Sequence, residues 1–143
     1  MRILLDTQAV IKIIYDENDI DASFKNDVEY FRHPFIVSTV TLHEFVILKS
    51  LGKIETKYSL DEFVKALYNK QFELLAVTPK HFSQLEKLPY LDIIDPKTNK
   101  RLTHTDPFDR LLIAQAKSEK LVIATTDTKF KYYTDLKIID VTK

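Results

Sequence analysis

Four acidic residues, far apart in sequence, stand where an apolar run ends or an apolar helical segment begins: Asp6, Glu44, Asp109 and Asp127. Asp6 closes Ile3-Leu4-Leu5, and Asp127 follows Leu121-Val122-Ile123-Ala124-Thr125-Thr126. Glu44 lies in Leu42-His43-Glu44-Phe45-Val46 and Asp109 in Asp106-Pro107-Phe108-Asp109-Arg110-Leu111-Leu112. A set of acids with no cysteine and with histidines scattered at 33, 43, 81 and 104 suits a hard divalent cation, Mg2+ or Mn2+. Its chemistry would be metal-assisted phosphodiester hydrolysis.

Each acid also has a simpler reading. On a helix, Glu44 has Ile47, Leu48 and Leu51 at i+3, i+4 and i+7, so its carboxylate is expected on the apolar side. That placement costs several kcal/mol unless a cation or a donor compensates. The simpler reading is a helix N-terminal acid favoured by the dipole by about 0.3–1 kcal/mol. Asp109 repeats the pattern with Leu112, Ile113 and Ala116. Of the pair at this helix start, Asp106 is expected to cap and Asp109 to face the pocket. Asp6 can cap a helix and Asp127 can open a turn. Thr7, Asp106, Arg110, Thr125 and Thr126 are the expected supporting residues around the acids. Arg110 reads equally as an ion-pair partner or a phosphate contact.

The elements that must position these groups follow from periodicity and punctuation. Strands are expected at 2–5, 35–38, 72–77, 121–125 and 137–140. Helices are expected at 7–15, 22–32 with Pro34 as the stop, 41–51 ending at Gly52, 60–69, 79–87, and 107–119 with Pro107 in the first position. Short apolar strands alternating with helices indicate an α/β sandwich on a mainly parallel sheet, in which ligands collect at the carboxyl ends of strands. Asp6 and Asp127 lie at that end of two strands.

The chain has 143 residues, which fits one domain with a substantial core. Hydrophobic residues are 45% and charged residues 29%, an ordinary globular balance. Twenty-one basic and 21 acidic residues cancel, so no global field announces a nucleic-acid partner. A local basic patch could come from Lys97, Lys100, Arg101 and His104, or from Lys129 and Lys131, although solvated surface lysines are the plainer account. Tyr132-Tyr133 could stack on a base. With one glycine there is no Gly-rich phosphate loop, and no Gly-x-Ser-x-Gly elbow or zinc-type histidine spacing occurs. The absence of a signal peptide and of a roughly 18-residue apolar run agrees with a cytoplasmic protein.

The motifs Leu4-Leu5-Asp6-Thr7, Ser38 through Glu44 to Lys49-Ser50-Leu51-Gly52-Lys53-Ile54, His104 through Ala116, and Val122 through Asp127 with Phe130 together resemble a PIN-domain protein, specifically a VapC-type toxin of a type II toxin–antitoxin pair. The resemblance implies a single-domain three-layer α/β/α sandwich. It also implies a Mg2+- or Mn2+-dependent endoribonuclease site on Asp6, Glu44, Asp109 and Asp127, homodimerisation, and inhibition by a small cognate antitoxin. Gln8 stands where this subgroup usually has histidine. The stretch 91–103 is longer than the subgroup's pattern and reads as a hairpin insertion with a Pro-Lys-Thr-Asn turn. The competing expectation is a catalytically inactive PIN-like module that binds RNA or a protein partner. A receiver-type phosphoacceptor would need an acidic neighbour for Asp6, and none occurs before Asp16.

Overall fold

The computed structural model describes residues 1–143. Five parallel strands form one sheet, β1 (Ile3–Leu5), β2 (Phe35–Ser38), β3 (Glu73–Leu75), β6 (Val122–Thr125) and β7 (Ile138–Asp140), in the order β3-β2-β1-β6-β7. An antiparallel hairpin, β4 (Asp92–Ile94) with β5 (Arg101–Thr103), stands apart from it. Six helices complete the chain: α1 (Thr7–Ile14), α2 (Ala22–Glu29), α3 (Thr39–Ser50), α4 (Leu60–Asn69), α5 (Pro79–Lys87) and α6 (Pro107–Glu119). A 3-10 turn, Thr128–Tyr132, follows β6.

Alternation along β1 builds the layers, because successive side chains of a strand point to opposite faces. Ile3 and Leu5 pack with Val10 of α1, Phe24 of α2, Phe45 of α3 and Phe63 of α4. Leu4 packs with Leu112, Ile113 and Ala116 of α6 and with Phe130. All three β1 residues are fully buried, so the central strand is apolar throughout. Leu4→Ala would cost about 2–5 kcal/mol through lost transfer energy and the cavity left behind.

Two helix ends differ from expectation for a local reason. The second helix stops at Glu29, not 32, because Phe31 turns left-handed (φ 54°) and Arg32 N–H bonds Asp27 O at 2.9 Å. A Schellman cap on a non-glycine residue ends it before Pro34 acts. The third helix starts at Thr39, capped by the Ser38 hydroxyl, so Glu44 sits in its second turn and not at its dipole end. Gly52 (φ 67°) closes that helix with Lys53 N–H on Leu48 O at 2.9 Å.

The chain leaves β1 toward β2 and β3 on one side, then returns to β6 and β7 on the other. The order therefore reverses between β1 and β6, the place where open parallel sheets bind ligands.

Candidate active site

Asp6 spans that reversal. Its backbone N–H bonds Ala124 O of β6 at 3.0 Å, and its Oδ1 caps α1 by accepting from Ala9 N–H at 2.8 Å. Its Oδ2 accepts from the Thr125 hydroxyl. Asp6 thus caps a helix and crosses two strands at once, at 4% exposure. Burial raises its pKa to about 7 against these hydrogen bonds, and the charges of Asp109 and Asp127 push the same way.

Glu44 reaches the same region from α3. Its Oε1 accepts from the Thr7 hydroxyl at 2.6 Å, and Thr7 shares a second hydrogen bond with Thr41 at 3.0 Å. Burial lifts Glu44 to about 7, helped by Asp109, Asp106 and Asp6. The sequence argument from Leu51 fails, because Leu51 lies past the helix end and is 62% exposed. Glu44 turns inward because it stands one turn after buried Thr41.

Asp106 caps α6, its Oδ1 accepting from Phe108 N–H at 2.9 Å and Asp109 N–H at 3.0 Å. Asp109, one turn before buried Leu112 and Ile113 and two before buried Ala116, faces inward. Its pKa is raised, by burial first and then by Asp106 and Asp127, against a hydrogen bond from His104. Asp127 follows β6 and opens the 3-10 turn, accepting from Lys129 N–H at 2.9 Å while its own N–H bonds Thr125 Oγ1 at 2.9 Å. Thr126, between them, is half-buried.

These acids come within reach of one another's charge, yet no three Asp, Glu or His side chains stand close enough to enclose a metal ion. The donor set is all hard oxygen, and Mg2+ keeps several of its waters and needs only one or two direct carboxylates. Crowded, desolvated carboxylates with raised pKa values are also the groups that a cation relieves. The residues therefore fit a hydrated divalent ion, and they do not fit a closed protein cage. A cavity of about 650 Å3, lined by residues including Tyr15, Glu55 and Tyr58, lies elsewhere.

A model of the PIN domain family matches residues 3–136. The chain belongs to the PIN domain family. Its whole fold also matches chains in three solved structures. These are VapBC2 from Rickettsia felis bound to a DNA fragment from its promoter (16% identity, TM-score 0.66, 99% of both chains), DNA-bound VapBC from Salmonella typhimurium (16%, 0.63, 98% of both) and VapBC-1 from nontypeable Haemophilus influenzae (16%, 0.59, 98% of both). No curated protein shows significant sequence similarity to the chain.

Within this PIN domain, three side chains depart from the sequence reading. Arg110 contacts no acid. It donates to Leu88 O and Pro89 O, both at 2.9 Å, and its guanidinium lies 3.6 Å over the Tyr90 ring. It ties α6 to the end of α5, because backbone carbonyls left over at a helix terminus need donors. His104 is no part of a basic surface: it is 3% exposed and bonds Asp109. Tyr133 cannot stack on a base, since it is 2% exposed and its hydroxyl bonds His104. Tyr132 accepts from Ile94 N–H at 3.3 Å and so fastens the hairpin to the 3-10 turn. The His104–Tyr133 contact spans 29 residues and leaves no trace in local spacing.

Proposed function

We propose that this PIN domain is a divalent-metal-dependent endoribonuclease acting as the toxin of a toxin–antitoxin pair. The observation that carries the reading is the gathering of Asp6, Glu44 and Asp109 at the sheet's reversal point, with raised pKa values from shared burial and like charge. PIN domains are typically nucleases, which supports hydrolysis as the reaction. The similar chains come from VapBC complexes, which supports a small cognate antitoxin as partner; a homodimer belongs to the same reading.

Asp6 and Asp109 would hold Mg2+ or Mn2+ directly, and Glu44 and Asp127 through water. When bound, the ion acidifies water and neutralises charge at the phosphorus. The Thr7 hydroxyl aims one oxygen of Glu44 and leaves the other to orient the attacking water. With a cation nearby favouring its ionised form, that oxygen is an acceptor for the water's proton. Thr125 and the Ala9 N–H fix both oxygens of Asp6 in direction, so little reorganisation is needed when the RNA phosphate arrives. The hairpin over 91–103 would shape substrate or antitoxin binding, since it is fastened to Tyr132 of the 3-10 turn that Asp127 opens and leads through His104 into α6. Shortening its turn at 96–99 should alter cleavage or inhibition; no change in either would refute that role.

The test is calorimetric titration of Mn2+ into wild type and Asp109→Asn, followed by cleavage of a mixed RNA pool. Saturable binding that the substitution weakens strongly supports the nuclease. No binding to either protein would leave an inactive module that grips RNA or a protein partner.

A further inference from the structure

His104 leaves the hairpin and Tyr133 leaves the 3-10 turn, and the two rings meet edge to face at 5.6 Å. Both are almost wholly buried, which is costly for an imidazole and a phenol unless their polar atoms are paired. Here all are. His104 Nδ1 lies 2.6 Å from the Tyr133 hydroxyl, and Nε2 lies 3.2 Å from Asp109 Oδ2. The backbone holds both rings too: His104 N–H bonds Leu91 O at 2.8 Å, and Tyr133 N–H bonds Phe130 O at 3.1 Å.

The proton positions follow from the partners. An ionised carboxylate only accepts, so Nε2 carries the hydrogen toward Asp109. In the neutral ring Nδ1 then accepts, and the Tyr133 O–H supplies the donor. The result is one directed chain, from Tyr133 through His104 to Asp109.

We propose that His104, with its tautomer set by Tyr133, is a positioning residue for Asp109. It holds Oδ2 through Nε2–H and turns Oδ1 toward the divalent ion or its waters. The inference rests on the reading of Asp109 as a metal-binding carboxylate. It adds a supporting chain that ties the site's geometry to two elements outside the sheet. Partners of this kind, hydrogen-bonded to a metal ligand, typically matter 10–100-fold in metal affinity.

The experiment is Mn2+ titration by calorimetry, with thermal unfolding in parallel, on wild type, His104→Ala, His104→Gln, Tyr133→Phe and the His104→Ala/Tyr133→Phe double variant. His104→Ala should weaken Mn2+ binding about 10-fold or more, and Gln, which keeps an N–H, should recover part of it. Tyr133→Phe should weaken binding less, and it should add nothing in the His104→Ala background because it acts through that ring. Nitrogen NMR of the imidazole should show the Nε2–H tautomer in wild type. A folded His104→Ala that binds Mn2+ like wild type overturns the inference, as does an Nδ1–H tautomer or additive losses in the double variant. If wild type itself shows no saturable binding, the metal reading and this inference fall together; if only the variants match wild type, this inference falls alone.

Discussion

Two buried histidines each face a carboxylate, and the two pairs behave in opposite ways. His104 meets Asp109 at 3.2 Å and His81 of α5 meets Glu119 at 3.5 Å, and the two carboxylates are almost equally exposed, at 19% and 21%. The Asp109 pKa is raised and the Glu119 pKa is lowered. At Asp109 burial among packed atoms leads, and Asp106 and Asp127 add like charge. At Glu119 the leading cause is a hydrogen bond from Lys80, 3.0 Å away. Reachable surface is similar, but Asp109 is packed round by far more protein and faces other acids, whereas Glu119 faces a lysine. Acids that crowd other acids in a dense setting are held in readiness for a cation, whereas an acid beside a lysine is already satisfied.

The histidines differ as well. Both His104 nitrogens are bonded, whereas His81 uses Nδ1 to accept Thr78 N–H at 3.0 Å and leaves Nε2 without a hydrogen bond. His81 closes the first turn of α5 from its third position, so its work is structural.

Asp6→Asn probes the carboxylate side of this contrast most strongly. Mn2+ affinity should fall about 100-fold or more, since a direct ligand should matter beyond the 10–100-fold of a supporting partner. The metal-free protein should keep or gain thermal stability, because a buried like charge is removed while the side chain still caps α1. Calorimetry and thermal unfolding read the two halves. His81→Ala probes the other side: it should cost about 1–3 kcal/mol in chemical denaturation by stripping the buried cap, with Mn2+ affinity unchanged. A change in affinity would erase the distinction between the two histidines.

pH sharpens the contrast. Asp6 and Glu44 titrate near 7 in the fold, against ordinary values of 3.8 and 4.5. Between those values the folded protein holds protons that the unfolded chain has released. Their contribution to stability is therefore full below about 4, falls as pH rises through about 7, and is flat above. With metal chelated, the unfolding free energy of wild type minus that of Asp6→Asn should decline by up to about 1.4 kcal/mol per pH unit across this window. A rising or flat difference would contradict the burial argument. Glu119→Gln should do least, about 0.5 kcal/mol or less, because it weakens a surface pair with Lys80 and a 3.5 Å contact with His81 that is not a hydrogen bond.

Much of the fold was legible because its signals are local. The bounds of α4, α5 and α6 follow from Ser59, Thr78-Pro79 and Asp106-Pro107 followed by apolar periodicity. The division between capping Asp106 and inward Asp109 follows from helix geometry, since i+3, i+4 and i+7 share a face. The 3-10 turn escaped notice because five polar and aromatic residues carry no period. Arg110 was ambiguous because its partners are backbone carbonyls about 20 residues away, which side-chain chemistry does not encode.

Taken alone, the residue order determined the strands, the helices, the PIN-type motifs and the four acids that such motifs carry. Those depend on caps, periodicity and residue chemistry within a few turns of chain. Tertiary structure decided that Asp6 is bonded across the β1–β6 reversal to Thr125, that Thr7 aims Glu44, and that Tyr133 and His104 stand behind Asp109. These contacts join residues 5 to 119 positions apart, and only sheet order and helix packing bring them within a hydrogen bond's reach.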